Sequence, residues 1–380
     1  MLRKVLFQCH WFVGITVGAI LAFSGLTGGL MAFGPQLTDY FSGGYQSIDG
    51  HGAPPLGTGE LYARVQAALP ERTITELTTY ADATRPARVR LAVAAGFIGP
   101  TAPIAETRMV DPYSGALLPV RPFGQAVERG VHWLHDVHQG HWGGPADPVA
   151  RSGGFLVGLG SVLLLFVALS GLYIRWPAGR SARSWRAWLA LYPRLKGRAF
   201  LFNLHAVFGT VALLFLLVSA HSGAFQNGEM NWYGNGVRAL VGLPAMRRPG
   251  GPPGAGGPPP TGAMGPGGMG PGGPARPGGP EGPRDPNTVR LIHLDVDDYF
   301  DADGLAHGAK QSTLDRRSGA ITPQPPEPAA RSFGEKLAAT NQILHEGRIL
   351  GTTGTLLMML ASLCLPAFFV TGWMMYLKRR

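Results

Sequence analysis

SGGFLVGLGSVLLLFVALSGLYI, residues 152–174, contains no Asp, Glu, Lys or Arg. A helix of about 20 apolar residues crosses the hydrocarbon core of a bilayer. Three other stretches, Phe7–Thr38, Ala199–Gly228 and Ile349–Leu377, are equally free of charge. The sequence therefore predicts an α-helical membrane protein with four transmembrane helices. Phe7–Thr38 is too long for the apolar region of a signal peptide and no A-x-A site follows it, so it reads as a retained helix.

The basic residues orient the chain. Arg3 and Lys4 precede the first helix, and Lys378, Arg379 and Arg380 follow the fourth. The connection 175–198 carries Arg175, Arg180, Arg183, Arg186, Arg194, Lys196 and Arg198 and no acid. Positive residues mark the cytoplasmic side, so both termini and this loop are expected there. The expected setting is a bacterial inner membrane, with the chain in contact with lipid. The net charge of +10 is in part this membrane signature, and nucleic-acid binding is a poor account of it. Cys9 and Cys364 form no CxxCH motif, so covalently attached haem is not indicated.

The two long connections, 39–150 and 229–348, are then periplasmic, and both read as α+β modules. In the first, "TGELYARVQAALP" (58–70) has helical periodicity. "TITELTTYAD" and "RVRLAVAAGF", with Val89, Leu91 and Val93 in alternation, read as strands. "MVDPYSGALLPV" reads as a hairpin around a Pro-x-Ser-Gly turn. In the second, residues 247–284 are mostly Gly and Pro and cannot build a core, so a disordered insertion is expected. Copper binding by Met264 and Met269 and recognition by a partner are the alternative uses of that insertion. "TVRLIHLDVDDYF" and "STLDRRSGAITPQ" read as a strand and a second hairpin. "VDPYSGALL" (110–118) and "LDRRSGAIT" (314–322) form a weak internal repeat. The helices repeat as well, each with a small hydroxyl residue beside glycine: Thr27–Gly28, Ser170–Gly171, Ser222–Gly223 and Thr371–Gly372. Small residues let membrane helices approach closely. The chain thus reads as two halves, each a helix, an α+β module and a returning helix.

His10, Trp11 and Gly14, the hydroxyl–glycine pairs, the D-x-x-[ST]-G hairpins and the elements "LHDVHQG", "NLHAVFG" and "ILHEGRILG" together resemble the PepSY-associated transmembrane helix family. The resemblance covers nearly the whole chain outside the Gly/Pro insertion. Four-helix members of this size are similar to the di-haem inner-membrane ferric-siderophore reductases of the FoxB type. That resemblance implies two b-type haems with bis-His ligation, an electron donor that is cytoplasmic or a quinol, and a ferric siderophore reduced in the periplasm. The alternatives are a haem-free PepSY protein that binds a partner or protease, or a metal-handling protein.

Histidine is the usual axial ligand of non-covalent haem, and a metal-binding side chain within a membrane is a functional candidate by default. His10 and His205 lie at matching depth from the cytoplasmic ends of the first and third helices, which suits one shared inner haem. His135, His138, His221 and His345 are the candidates for the outer one. His205 and His221 are sixteen residues apart, roughly 24 Å of helical rise but about 160° apart around the axis. A straight helix would not aim both at one centre. "HWLHDVHQGH" (132–141) spaces four histidines three residues apart. On a helix each is turned about 60° from the last, so the strip fans out and is expected to give one haem ligand, His135 or His138, instead of one metal cluster. His51, His293 and His307 are isolated and receive no role. Trp11, Trp133, Trp142 and Trp373 read first as interfacial anchors.

Overall fold

The computed structural model describes residues 1–44, 46–92, 106–141, 148–176, 185–245, 287–294, 309–323 and 332–378. The Gly/Pro insertion 247–284, the end of the strand read over residues 88–97, and His307 and Trp142 lie outside them. The chain divides into two compact units. One comprises Met1–Ala32, Leu134–Leu243 and Thr340–Arg380, and the other Phe33–Trp133 and Pro244–Ala339.

The first unit is a helical bundle. It contains α1 (Leu2–Thr16) and α2 (Gly18–Met31), and the second unit begins just before α3 (Gly34–Ser42). The first apolar stretch, read as a single helix over Phe7–Thr38, is thus three helices. The first junction is slight: the Val17 amide still bonds the Val13 carbonyl and its own carbonyl receives the Leu21 amide. The second is a true break at Ala32–Phe33, because Pro35 has no N–H to continue the ladder and instead opens α3.

The remaining spans fall where expected. They are α6 (Pro148–Arg175), α8 (Gly197–Gln226) and α11 (Gly351–Leu377). Four helical segments are long and apolar enough to cross a membrane: Gly18–Ser42, Ser152–Arg175, Gly197–Gln226 and Arg348–Leu377. Their outward surface is apolar too, with Phe202, Phe208, Val211 and Leu214 exposed on α8 and Leu356, Leu360 and Val370 on α11. A helix that is apolar all round belongs in hydrocarbon. Pro366 sits inside α11, a position that neighbouring helices tolerate in a membrane. Two further helices lead into spans, α5 (Gly124–His138) before α6 and α10 (Phe333–His345) before α11, and two short ones, α7 (Trp185–Leu189) and α9 (Asn231–Leu240), flank α8 in the sequence.

The second unit is built on one six-stranded sheet. Its first half has α4 (Thr58–Ala68), β1 (Ile74–Tyr80), β2 (Ala87–Leu91) and β3 (Glu106–Val110); its second has β4 (Thr288–Leu294), β5 (Ala309–Asp315) and β6 (Ile321–Pro323). The order is β3-β2-β1-β4-β5-β6. All neighbours are antiparallel except the central pair, where β1 and β4 run parallel with Leu77 opposite Leu291. The two α+β modules therefore share a sheet. Three strands from each meet at the β1–β4 seam.

One apolar face holds the sheet together. Leu61 and Val65 of α4 pack on Ile74, Leu77, Val89, Leu91, Val289, Leu291 and Leu314, all buried. The seam also carries an ion pair: Arg290 reaches its register neighbour Glu76, which is almost wholly buried. Burial alone would raise the Glu76 pKa; Arg290, with Arg90 and Arg88, more than offsets it and holds the carboxyl below its usual range. The repeated D-x-x-S-G turns match bond for bond. Asp111 accepts from the Ser114 amide and hydroxyl, and Asp315 from those of Ser318. Gly115 and Gly319 follow with φ of 77° and 70°, a region that glycine enters without a Cβ penalty.

Candidate functional site: two histidine pairs

Both candidate sites lie within the helical unit. His10 of α1 and His205 of α8 face each other with ring centroids 6.5 Å apart. His138, the last residue of α5, and His345, the last of α10, do the same at 6.3 Å. The pairing read for His10 and His205 is thus present as geometry. Of the four candidates for the other pair, the structure brings together His138 and His345. His135 has its Nε2 2.7 Å from the Gln139 amide nitrogen. The Nδ1 of His221 lies 2.7 Å from the Tyr233 hydroxyl, and its ring lies beside Phe225. Among the described residues no group of three or more His, Cys, Asp or Glu gathers as a metal site, so the strip 132–141 is not one cluster.

Each of the four histidines is held in the same way. Its Nδ1 lies within hydrogen-bond distance of the hydroxyl of one hydroxyl–glycine pair. His10 meets Ser170 at 3.0 Å, His205 meets Thr371 at 2.8 Å, His138 meets Thr27 at 3.1 Å and His345 meets Ser222 at 2.8 Å. All four hydroxyl residues are buried. The adjacent glycines make room for two of the rings, at Gly28 and Gly171, while at Gly223 an added Cβ would reach His345 only at ordinary contact distance. A Cβ added at Gly28 would lie 3.0 Å from His138 Cε1, at Gly171 3.1 Å from His10 Cε1, and at Gly223 3.5 Å from His345 Cε1. Read from sequence, these pairs served helix packing. In the structure they are sockets for imidazoles.

The pairing is symmetric. His10 and Thr27 are 17 residues apart (27 − 10), and so are His205 and Ser222 (222 − 205). Within each half the first span carries one histidine and the hydroxyl that holds the other. Each site then takes one histidine from each half. Seventeen residues of helix rise about 25 Å, so the two pairs sit towards opposite ends of a bundle built to cross about 30 Å of hydrocarbon.

A sequence signal for the second pair was available. His138-Gln139-Gly140 and His345-Glu346-Gly347 share the form H-x-G, and both glycines take positive φ, 82° and 73°. Each then packs against a glycine at the start of the next span. A Cβ on Gly140 would meet the Gly153 backbone at 2.3 Å, and one on Gly347 would meet the Gly354 carbonyl oxygen at 2.4 Å. Aligning on the glycine selects His138; aligning on the preceding leucine points to His135.

The donor set suits a metal bound between two imidazoles. Ring centroids 6.5 and 6.3 Å apart leave room for one ion between the two rings of each pair, which His10 with His205 and His138 with His345 would hold. With each Nδ1 held by a hydroxyl, Nε2 is the nitrogen left to meet the partner. Burial, followed by the nearby His345 ring, pushes the His138 pKa down to about 4. Burial pushes that of His345 down to about 4 as well. Both rings are therefore neutral near pH 7, the form with a lone pair to donate. Beside the first pair the helices are bare: Gly14 and Gly209 lie four residues beyond His10 and His205, on the same face. A Cβ at either would touch nothing within 4 Å. Glycine costs about 1 kcal/mol in a helix interior, so open space there fits a flat ligand seated against each histidine.

Four spans, a sheet shared by two modules and two symmetric histidine pairs define a duplicated multi-pass membrane protein with paired-imidazole sites. Residues 7–379 match the family described as the PepSY-associated TM region, and the chain belongs to that family. No curated relative matches it.

Proposed function

We propose that this protein is a membrane-embedded haem reductase of the bacterial inner membrane. It carries electrons from a cytoplasmic or quinol donor to ferric siderophores in the periplasm, where one electron converts each Fe(III) to Fe(II) and frees it from the chelator. The observation that carries this reading is the pair of His–His separations, 6.5 and 6.3 Å, at opposite ends of the bundle. His10 with His205, and His138 with His345, would each hold one haem b. A haem ligated by two histidines supplies a one-electron carrier whose potential the surrounding protein sets. The chain's own contribution is to fix four imidazoles, each by its Nδ1 against a buried hydroxyl. The basic residues of the N-terminus and of the connection 175–198 favour placing the first pair near the cytoplasmic face.

The test is a reduced-minus-oxidised absorbance spectrum of the full chain purified in detergent. A b-type spectrum with two haems per chain is the expected result, together with formation of a ferrous-dye complex when the reduced protein meets a ferric hydroxamate. Absence of a haem band sinks the proposal, and one haem per chain sinks the two-site form of it.

A further inference from the structure

Four buried hydroxyls meet four histidines, and each hydroxyl has one proton. That proton has a place to go. The Thr27 hydroxyl lies 3.0 Å from the Phe23 carbonyl, Ser170 3.1 Å from that of Val167, Ser222 2.6 Å from that of Val218 and Thr371 2.7 Å from that of Ala367. Each hydroxyl therefore donates to its own helix and can only accept from the imidazole. An accepting oxygen requires an N–H on Nδ1. The backbone gives an independent reason at three of the sites. The His138 Nδ1 is also 3.1 Å from the Ser24 carbonyl. The His10 ring bonds the backbone of Val167, and the His345 ring that of Ser219. In every case this is the residue three before the hydroxyl, and a carbonyl can only accept. At His138 two acceptors, the Thr27 hydroxyl and the Ser24 carbonyl, converge on Nδ1, which can satisfy both only as a donor.

We propose that Thr27, Ser170, Ser222 and Thr371 are positioning residues that lock the four histidines as Nδ1–H tautomers, leaving each Nε2 as the atom that binds metal. The metal-binding half of this rests on the haem reading above; the tautomer half stands on the protein alone. The hydroxyl is then one device used four times to set the tautomer, and at two sites, Gly28 and Gly171, the adjacent glycine also gives the ring its space. The arrangement also crosses between sites. Thr27 and His10 share the first span but serve different pairs, as do Ser222 and His205 on α8.

The experiment compares wild type, Thr27→Val and Thr27→Ser, all full-length in detergent. Valine keeps the shape of threonine and removes the acceptor. An orienting partner behind a metal-bound histidine is worth about 10–100-fold in affinity and raises ligand basicity. Thr27→Val should weaken one haem by that factor, move its potential upward and change its low-spin resonance. The haem that His10→Ala removes should stay as in wild type. Thr27→Ser should restore both haems. Thr27→Val indistinguishable from wild type at both haems overturns the proposal, as does a change at the haem that depends on His10. Nitrogen-15 spectra of the haem-free wild-type chain, with His138 assigned by its loss in His138→Gln, read the tautomer directly. An Nδ1–H ring supports the proposal and an Nε2–H ring overturns it. If wild type takes up no haem, the reductase reading falls while this measurement still decides the tautomer.

Discussion

Replacing Gly171 with alanine adds one carbon 3.1 Å from His10 Cε1. Carbon atoms rest at about 3.5–4.0 Å, so the ring must retreat by roughly half an ångström. The His10 Nδ1 to Ser170 Oγ contact is now 3.0 Å. A shift of that size stretches it to about 3.5 Å, past the range of a normal hydrogen bond. The lost bond costs about 0.5–1.5 kcal/mol. Alanine in place of glycine in a helix interior returns about 1 kcal/mol. Stability should therefore scarcely change while ligand placement does. Gly372 is the internal control: it belongs to the corresponding pair in the other half, yet a Cβ there meets nothing within 4 Å. Gly372→Ala should gain the helix contribution alone. Thermal unfolding in detergent and haem spectra of the two variants decide the matter. Gly171→Ala should melt near the wild-type temperature and bind one haem about tenfold more weakly. Gly372→Ala should melt higher and keep both. Two haems with unchanged spectra in Gly171→Ala, or loss of haem confined to Gly372→Ala, would refute the reasoning.

His138→Ala should remove one haem and His135→Ala neither, measured as haem per chain; the reverse outcome would restore the ligand choice that the leucine alignment suggests. Glu76→Gln tests the sheet seam through pH. Because the folded pKa of Glu76 is depressed, its pair with Arg290 stabilises fully above the ordinary glutamate value of 4.5 and fades as pH falls through the lower folded value. Wild type should lose melting temperature over that acidic window. Glu76→Gln should melt lower at neutral pH and show a shallower loss, and parallel curves for the two would exclude the pair as the cause.

Much of this architecture is legible in the chain. Uncharged stretches longer than a bilayer's thickness mark the spans, and the Asp-x-x-Ser-Gly turns announce the repeat because their bonds are local. The sheet seam is not legible, since Glu76 and Arg290 are 214 residues apart (290 − 76) and no local pattern says which strands will meet. The break before α3 is visible in hindsight at Pro35, but apolar length alone hides it. The first histidine pair follows from depth along two helices. The second does not, because four histidines share that region and periodicity cannot rank them; the glycine two residues on, forced into positive φ by the close approach of a neighbouring backbone, does. The hydroxyl–glycine pairs were visible as a pattern, but their partners come from other helices.

The parallel join between β1 and β4 has a bearing on how the protein is made. Synthesis runs from the N-terminus, so β1 waits with one edge unpaired while two further spans are made before β4 emerges. An open strand edge invites pairing with the wrong chain. His10 and His138 wait in the same way, since His205 and His345 belong to the later half. Neither histidine pair can form on a nascent chain that is half built. Formation of both histidine pairs is thereby tied to completed synthesis, as is closure of the sheet seam.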